Sequence, residues 1–154
     1  MVDQEWKEKA IDMRRKGFTE TEIAKAKPRK VRKDKNGNKL EYDEQKAFVK
    51  WVRKEHPQHA RRMISVENAA HRGSLIRVSM AKASGMVTGA SDLFFAFSSG
   101  GRHGLWIEMK KIDGRATPDE LRFQEDARRD GYGGVVCHGC ENAKAAFLRY
   151  LSGT

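Results

Sequence analysis

Two acidic residues and a lysine near the middle of the chain are the residue types that could do chemistry together. Asp92 precedes an apolar run over 93–97, and Glu108 and Lys110 lie in a second apolar run over 104–110. Because side chains alternate between faces along a strand, Glu108 and Lys110 should share one face. Two carboxylates beside an ammonium group on rigid strands can hold a hard divalent cation and a polarised water. These three residues form the candidate active site.

A β-hairpin is the element expected to bring these residues together. The two apolar runs flank the Gly-rich segment 98–103, which is typical of a turn. Strand pairing across that turn would place Asp92 near Glu108. A helix start follows at Thr117-Pro118-Asp119-Glu120, which has the pattern of a capping box. A lone Glu-x-Lys is uninformative, but this combination favours a site over a surface salt bridge.

The remaining periodicity predicts an α/β domain with a mixed central sheet over 41–154. Helices are predicted over 42–55, 74–82, 117–130 and 142–151, and strands over 62–66, the hairpin and 134–138. Residues 1–40 are predicted to be a helical, basic appendage and linker. Its two short helices around Gly17 are as compatible with part of a helix-turn-helix as with a helical hairpin that packs on the main domain.

The charge of the chain favours a polyanionic partner. The formal net charge of the 154 residues is +10, and the sequence pI is about 9.8. Between residues 25 and 39 there are eight basic residues and one acidic residue, which leaves +7 in this strip. A concentrated strip favours phosphate contact over a merely soluble basic protein. The predicted DNA-binding residues in it are Lys25, Lys27, Arg29, Lys30, Arg32, Lys33, Lys35 and Lys39.

Several protein classes lack support in the sequence. No apolar run approaches transmembrane length, and the first residues do not have the pattern of a signal peptide. Cys137-x-x-Cys140 lacks a second ligand pair for structural zinc, so two incidental cysteines in a cytoplasmic protein are expected. Neither a phosphate-binding P-loop nor a Gly-x-Ser-x-Gly elbow is present, which argues against an NTPase or a serine hydrolase.

In their order, the motifs of residues 42–151 resemble a VRR-NUC domain nuclease of the PD-(D/E)xK phosphodiesterase superfamily. The matching elements are Glu44 in the first helix of this region, 89–93, 104–110, 117–120, and the Gly131-Tyr132 pair before the last strand. The small stand-alone form resembles proteins of bacteriophage and prophage origin. The resemblance implies a restriction-endonuclease-like core with a mixed central sheet flanked by helices.

What the resemblance implies is a DNA nuclease that depends on Mg²⁺, for which Mn²⁺ can substitute. By position, Asp92 and Glu108 would be metal ligands, the carbonyl of Met109 would add another, and Lys110 would orient the attacking water. Glu44 would match a helix carboxylate that supports the metal or its water. Alternatively, Glu44 lies at the edge of the apolar stripe of its helix, where the helix dipole stabilises its negative charge. Members of this kind often act as dimers on branched DNA, so branched DNA and a homodimer are expectations here, in a bacterial or phage-infected cytoplasm.

Three departures from the family pattern bear on the site. The usual Pro before the motif Asp is Ser91, which loses a rigid φ but leaves the carboxylate in place. A Gln usual at the start of the later helix is Glu120, which either completes a capping box or faces the site as an additional metal ligand. The loop over 67–73 lacks the usual Asn-Gly-Gly, which affects substrate contacts expected from Asn68, His71 and Arg72.

Two rival functions come from other classes. A non-catalytic DNA-binding protein would use the basic N-terminal segment and keep the nuclease-like core as a scaffold. It would differ from a nuclease in having no metal dependence. An RNA-binding accessory protein is the third reading, and the sequence shows no aromatic-rich surface motif that would favour it.

Overall fold

The computed structural model describes residues 2–27, 33–35, 37, 39–66, 79–80 and 82–153, with side chains from residue 6 onwards. The chain divides into two compact units, Met1–Val31 and Arg32–Thr154. The limits expected from the sequence, an appendage over 1–40 and a nuclease domain over 41–154, stay a prediction.

The first unit is a pair of helices, α1 (Val2–Arg15) and α2 (Glu20–Ala26). Gly17, with a φ of 82°, lies in the turn between them, as the sequence predicted. The capping box at the start of α2 is confirmed, since Glu22 N–H donates to Thr19 Oγ1 over 3.3 Å and Thr19 N–H donates to Glu22 Oε2 over 2.8 Å. The two alternatives named above, part of a helix-turn-helix and a packed helical hairpin, stay predictions.

The second unit contains one mixed sheet within its described residues. The strands are β1 (Met63–Ser65), β2 (Leu93–Phe95), β3 (Leu105–Lys110) and β4 (Gly133–His138), and they lie side by side in that order. β1, β2 and β3 pair antiparallel, and β3 and β4 pair parallel. The predicted hairpin between β2 and β3 and the predicted mixed sheet are therefore confirmed.

Helices cover both faces of this sheet. They are α3 (Glu41–Glu55), the short α4 (Pro57–Ala60), α5 (Pro118–Arg129) and α6 (Gly139–Ser152). On one face, Phe48 of α3 and Phe147 of α6 join Ile107 and Met109 of β3 in the core, and all four are fully buried. On the other face, the ring of Trp106 meets the ring of Phe123 in α5 with 5.0 Å between centroids. β3 is thus covered on both faces, which makes its polar side chains part of the interior.

Two helix predictions need correction or restriction. The last helix was predicted over 142–151, but α6 begins three residues earlier, at Gly139. The residue before the helix makes no side-chain capping hydrogen bond, so the sequence carries no local signal for this start. The carboxylate of Glu44, which is 96 residues away in the chain, instead accepts the hydrogen bond of Cys140 N–H over 2.8 Å. The helix predicted over 74–82 falls largely outside the described residues, although 79–80 and 82–83 are helical.

Gly89 positions the loop that leads into β2. Its φ is +80°, and a Cβ there would lie 2.6 Å from the backbone carbonyl carbon of Asp119. The loop therefore lies directly against the first turn of α5, which places the residues before β2 beside the start of that helix. Both features require glycine, since a side chain would be strained and would also clash.

Replacement of Gly89 by alanine should destabilise the protein by about 2 kcal/mol more than replacement of Gly85 by alanine. Gly85 is a matched control, because its φ is +98° but its Cβ would meet nothing within 4 Å. Urea denaturation of both variants measures the difference. Equal losses would show that only the backbone conformation matters and that the close approach to Asp119 does not.

Candidate active site

β3 presents Glu108 and Lys110 on the face that α5 covers. The two side chains alternate with the core residues Ile107 and Met109, as a strand requires. Glu108 is 1% exposed and Lys110 is 7% exposed. The ammonium group of Lys110 donates to Glu108 Oε1 over 2.6 Å. The strand therefore holds a buried ion pair between residues two positions apart.

Asp92 lies immediately before β2 and is tied to β3 by its side chain. Its Oδ2 accepts the hydrogen bond of Met109 N–H over 2.8 Å. The antiparallel register, which pairs Leu93 with Ile107, brings the start of β2 to the C-terminal half of β3. The charge of Asp92 also acts on Glu108, whose pKa it helps to raise. The structure thus brings together the three residues that the sequence singled out.

Two further carboxylates surround the ammonium group of Lys110. Glu120 Oε2 lies 3.2 Å from Lys110 Nζ, and Glu41 Oε2 lies 3.7 Å from it. Glu120 Oε2 also accepts from Thr117 N–H over 2.8 Å. Glu120 therefore completes the capping box and also lies beside Lys110, and its role as a metal ligand stays a prediction. Glu41 was missed by the sequence analysis, although it is one of three acidic residues in the first turn of α3.

The surroundings stabilise the charged form of Lys110 but not the charged form of Glu108. Burial and, secondly, the charge of Asp92 raise the pKa of Glu108 to about 8, against the opposite effect of the Lys110 hydrogen bond. Burial lowers the pKa of Lys110, but the hydrogen bond to Glu108 and the nearby carboxylates outweigh burial, so the net pKa is raised. Lys110 therefore stays protonated at neutral pH, and Glu108 is the group whose charge is poorly compensated.

The second oxygen of Glu108 is the clearest sign of a missing partner. Glu108 Oε2 is buried and accepts no hydrogen bond from any described residue. A buried carboxylate oxygen without a donor is destabilised, and a bound cation would remove that penalty. Asp92 supplies a neighbouring carboxylate. The pair has the hard oxygen donors that Mg²⁺ prefers.

Few protein side chains at this site could bind a metal ion directly. Among the described residues there is no group of three or more His, Cys, Asp or Glu side chains arranged to hold a metal ion. Mg²⁺ does not need one, because it is commonly bound by one or two carboxylates and keeps several waters. Asp92, Glu108 and the Met109 carbonyl of β3 are compatible with that mode.

Glu44 is buried beside the start of α6. It is 4% exposed, and its Oε2 accepts from Cys140 N–H. The carboxylate of Glu44 thus lies at the N-terminus of α6, where the N–H groups of the first turn and the positive end of the helix dipole both stabilise negative charge. This contact explains how the core tolerates the charge. The expectation that Glu44 also supports a metal stays a prediction.

Gln124 is a site-supporting residue that the sequence analysis missed. It lies on α5, is 1% exposed, and its Nε2 donates to Ser91 Oγ over 2.5 Å. Ser91 is fully buried and stands where the family usually has Pro. The hydrogen bond ties the residue before Asp92 to α5. The sequence did contain a signal for its position, because Glu120, Gln124 and Ala127 recur at helical spacing and therefore share one face of α5.

The described part of the basic strip is exposed. Lys25, Lys27, Lys33, Lys35 and Lys39 all face solvent. Lys33 and Lys39 form an antiparallel bridge, and Asp34 between them pairs with Lys111 over 2.7 Å. This small turn therefore lies beside the residue that follows Lys110. The other predicted contacts (Arg29, Lys30, Arg32, Asn68, His71 and Arg72) lie outside the described residues.

The two cysteines lie at the junction of β4 and α6. Cys137 and Cys140 are free and buried, and burial raises the pKa of Cys137 to about 12. Such a thiol carries almost no thiolate at neutral pH, which is unsuited to redox chemistry.

No helix in the described ranges is long and apolar enough to cross a membrane.

Comparison with known proteins bears on the fold. The sequence matches no protein-family model and no curated protein. A solved structure described as a VRR_NUC domain protein superposes with a TM-score of 0.65 at 23% sequence identity, over 73% of this chain and 88% of that chain. The chain has the fold of a VRR-NUC domain. The predicted α/β, restriction-endonuclease-like core with a mixed central sheet is confirmed.

The metal-free protein should lose stability as the pH rises from about 5 to 8. The folded state holds the Glu108 proton up to about pH 8, whereas the unfolded state releases it near the ordinary value of 4.5. Between those values the folded state binds more protons, so the free energy of unfolding falls as the pH rises. Below that range the contribution of Glu108 is fully present.

Urea denaturation in EDTA across this pH range measures the effect. Glu108→Gln should remove most of the slope, whereas Glu55→Gln should keep it, because Glu55 is an exposed partner of Lys54. An unchanged slope in Glu108→Gln would contradict the assignment of the poorly compensated charge to this residue.

Proposed function

We propose that the chain is a Mg²⁺-dependent deoxyribonuclease that hydrolyses phosphodiester bonds, and that Mn²⁺ can replace Mg²⁺. The observation that carries the proposal is the buried Glu108–Lys110 pair, placed beside Asp92 on the central hairpin of a VRR-NUC fold. A buried carboxylate with a strongly raised pKa next to a specific charge partner is typical of functional sites.

Asp92 and Glu108 would hold the metal, with the Met109 carbonyl as a further oxygen ligand. The unpartnered Glu108 Oε2 supports this role, because the cation would supply the compensation that no described residue provides. When bound, the metal neutralises phosphate charge and lowers the pKa of a bound water. Glu44, held at the start of α6, and Glu120, held at the start of α5, would support the site from two helices.

Lys110 would act as a donor and as a fixed positive charge. Its raised pKa keeps it protonated, so it does not accept a proton from the attacking water. It instead orients that water through an N–H and stabilises the negative charge that develops on the phosphate. Glu41 and Glu120 keep the ammonium group in place when Glu108 is engaged elsewhere.

The exposed lysines would bind DNA phosphates outside the site. Among them, Lys33 and Lys39 flank Asp34, which pairs with Lys111, so this turn would bring positive charge near the end of β3. We infer branched or otherwise structured DNA as the substrate, cut by a homodimer in the cytoplasm of a bacterial or phage-infected cell. A non-catalytic DNA-binding protein is the second candidate, and the exposed basic residues favour it equally.

Glu108→Ala and Lys110→Ala should each abolish cleavage and leave DNA binding largely intact, because they remove the reacting centre but not the exposed basic residues. Labelled four-way junction, flap, single-stranded and linear duplex DNA, each with Mg²⁺, Mn²⁺ or EDTA, provide the assay. Cleavage by the unaltered protein should need the metal and should be greatest on branched DNA.

Lys54→Ala is the matched control for charge, since Lys54 lies in an exposed pair with Glu55. It should cut as well as the unaltered protein. Undiminished cutting by either site variant contradicts the proposed roles. Binding without any cutting, with or without metal, would favour the non-catalytic candidate.

Replacement of Lys33, Lys35 and Lys39 by Gln should weaken binding to DNA of any sequence. Each phosphate contact that is lost should reduce the slope of log K against log salt by about 0.9. Fluorescence anisotropy at several salt concentrations measures that slope. Lys144→Gln is the control, because Lys144 is paired with Glu141 over 2.7 Å. Equal slopes for the triple variant and the control would exclude this turn from the interface.

A further inference from the structure

A positively charged cavity lies at the opposite end of β3 from Lys110. It has a volume of about 180 Å³ and is lined by Arg102, Arg128 and Arg149, together with Gly133 and Gly134 of β4. In the parallel register, Gly133 pairs with Leu105, at the start of β3, while His138 pairs with Lys110 at its end. The cavity is therefore separate from the candidate active site.

The charge of this cavity is not compensated by its own lining. No acidic side chain is among the residues that line it. Within the described part of the chain, neither Arg102 nor Arg149 forms an ion pair with a carboxylate. The neighbouring Arg129, by contrast, is paired with Asp126 over 3.1 Å. Three guanidinium groups that converge without a counter-charge favour an anionic ligand.

The backbone of β4 adds a donor to the cavity. Gly133 N–H donates to Gly104 O over 2.7 Å, towards β3, so the N–H and C=O of the next residue, Gly134, point away from the sheet. The position of Arg128 agrees with this, since its Nη1 donates to Gly134 O over 2.8 Å. An outward N–H beside guanidinium groups is the donor set that phosphate oxygens accept from.

The two glycines are closely packed. A Cβ at Gly133 would lie 2.9 Å from Cδ1 of Leu105, and a Cβ at Gly134 would lie 2.5 Å from Oε1 of Gln124. Even a methyl group would therefore clash at either position. As a result, β4 presents bare backbone at the wall of the cavity.

The cavity and the candidate active site lie at opposite ends of β3. Five residue steps separate Leu105 from Lys110 along this strand, which is roughly 17 Å at about 3.3 Å per residue. A DNA molecule bound at the candidate active site is long enough to reach the cavity as well.

We propose that Arg102, Arg128 and Arg149, with the backbone of Gly134, form a phosphate-binding subsite that holds a backbone phosphate of the DNA away from the bond that is cut. The link to DNA cleavage rests on the proposed nuclease function, whereas the phosphate-binding chemistry does not. Free phosphate has the same donor requirements, so the experiment distinguishes the two sources.

The test follows the amide signals of Gly133 and Gly134 by NMR in EDTA, so that binding is observed without cleavage. Inorganic phosphate and a short duplex DNA are titrated separately into the full-length protein. Both ligands should shift these amides. Arg102→Gln combined with Arg149→Gln should abolish the shifts and weaken DNA binding about tenfold at low salt.

Arg129→Gln is the control, because it removes a guanidinium group that is exposed, paired with Asp126 and not among the residues that line the cavity. It should keep both shifts and the DNA affinity. Arg128 is left unchanged in the test variant, because its bond to Gly134 O also supports β4. An unaltered melting temperature confirms that the variant is folded.

The proposal is overturned if neither ligand shifts the two amides, or if the double variant binds DNA as the unaltered protein does. A shift with inorganic phosphate but not with DNA also overturns it and identifies a free-anion site. Failure of the nuclease proposal gives a different result, in which DNA shifts the amides and the double variant weakens binding, yet no metal supports cutting.

Discussion

The burial of Glu108 is the constraint on which the arrangement of this protein depends. A carboxylate removed from water is strongly destabilised unless its charge is matched, and here a second carboxylate, Asp92, lies nearby. Lys110 matches one oxygen and leaves the other without a donor among the described residues. Two further carboxylates, Glu120 and Glu41, lie 3.2 Å and 3.7 Å from the nitrogen of the same lysine. Such an arrangement has an excess of negative charge, which a divalent cation would relieve.

The fold maintains this unfavourable arrangement by fixing each group from a different element. β3 is buried on both faces, so its polar side chains cannot turn to solvent. The bond from Met109 N–H to Asp92 holds the two strands in register, and the bond from Gln124 to Ser91 ties the start of β2 to α5. Strain of this kind is characteristic of sites that are stabilised by a ligand, because the ligand supplies the missing interaction.

The sequence was sufficient for features that depend on local pattern. Strand alternation placed Glu108 and Lys110 on one face, the Gly-rich turn identified the hairpin, and Thr117 with Glu120 identified the start of α5. It was insufficient where the partner is remote in the chain. The start of α6 depends on Glu44, 96 residues away, and Ser91 depends on Gln124, 33 residues away. Glu41 became part of the site only because α3 packs on the same sheet, which local pattern does not specify.

The central claim is that Asp92 and Glu108 together bind a divalent metal, and anomalous diffraction from crystals grown with Mn²⁺ tests it most directly. We expect one anomalous peak within about 2.5 Å of oxygens from both carboxylates, and its loss in crystals of Glu108→Ala. A well-ordered site in Mn²⁺-containing crystals without such a peak, or a peak that persists in the variant, would contradict the account.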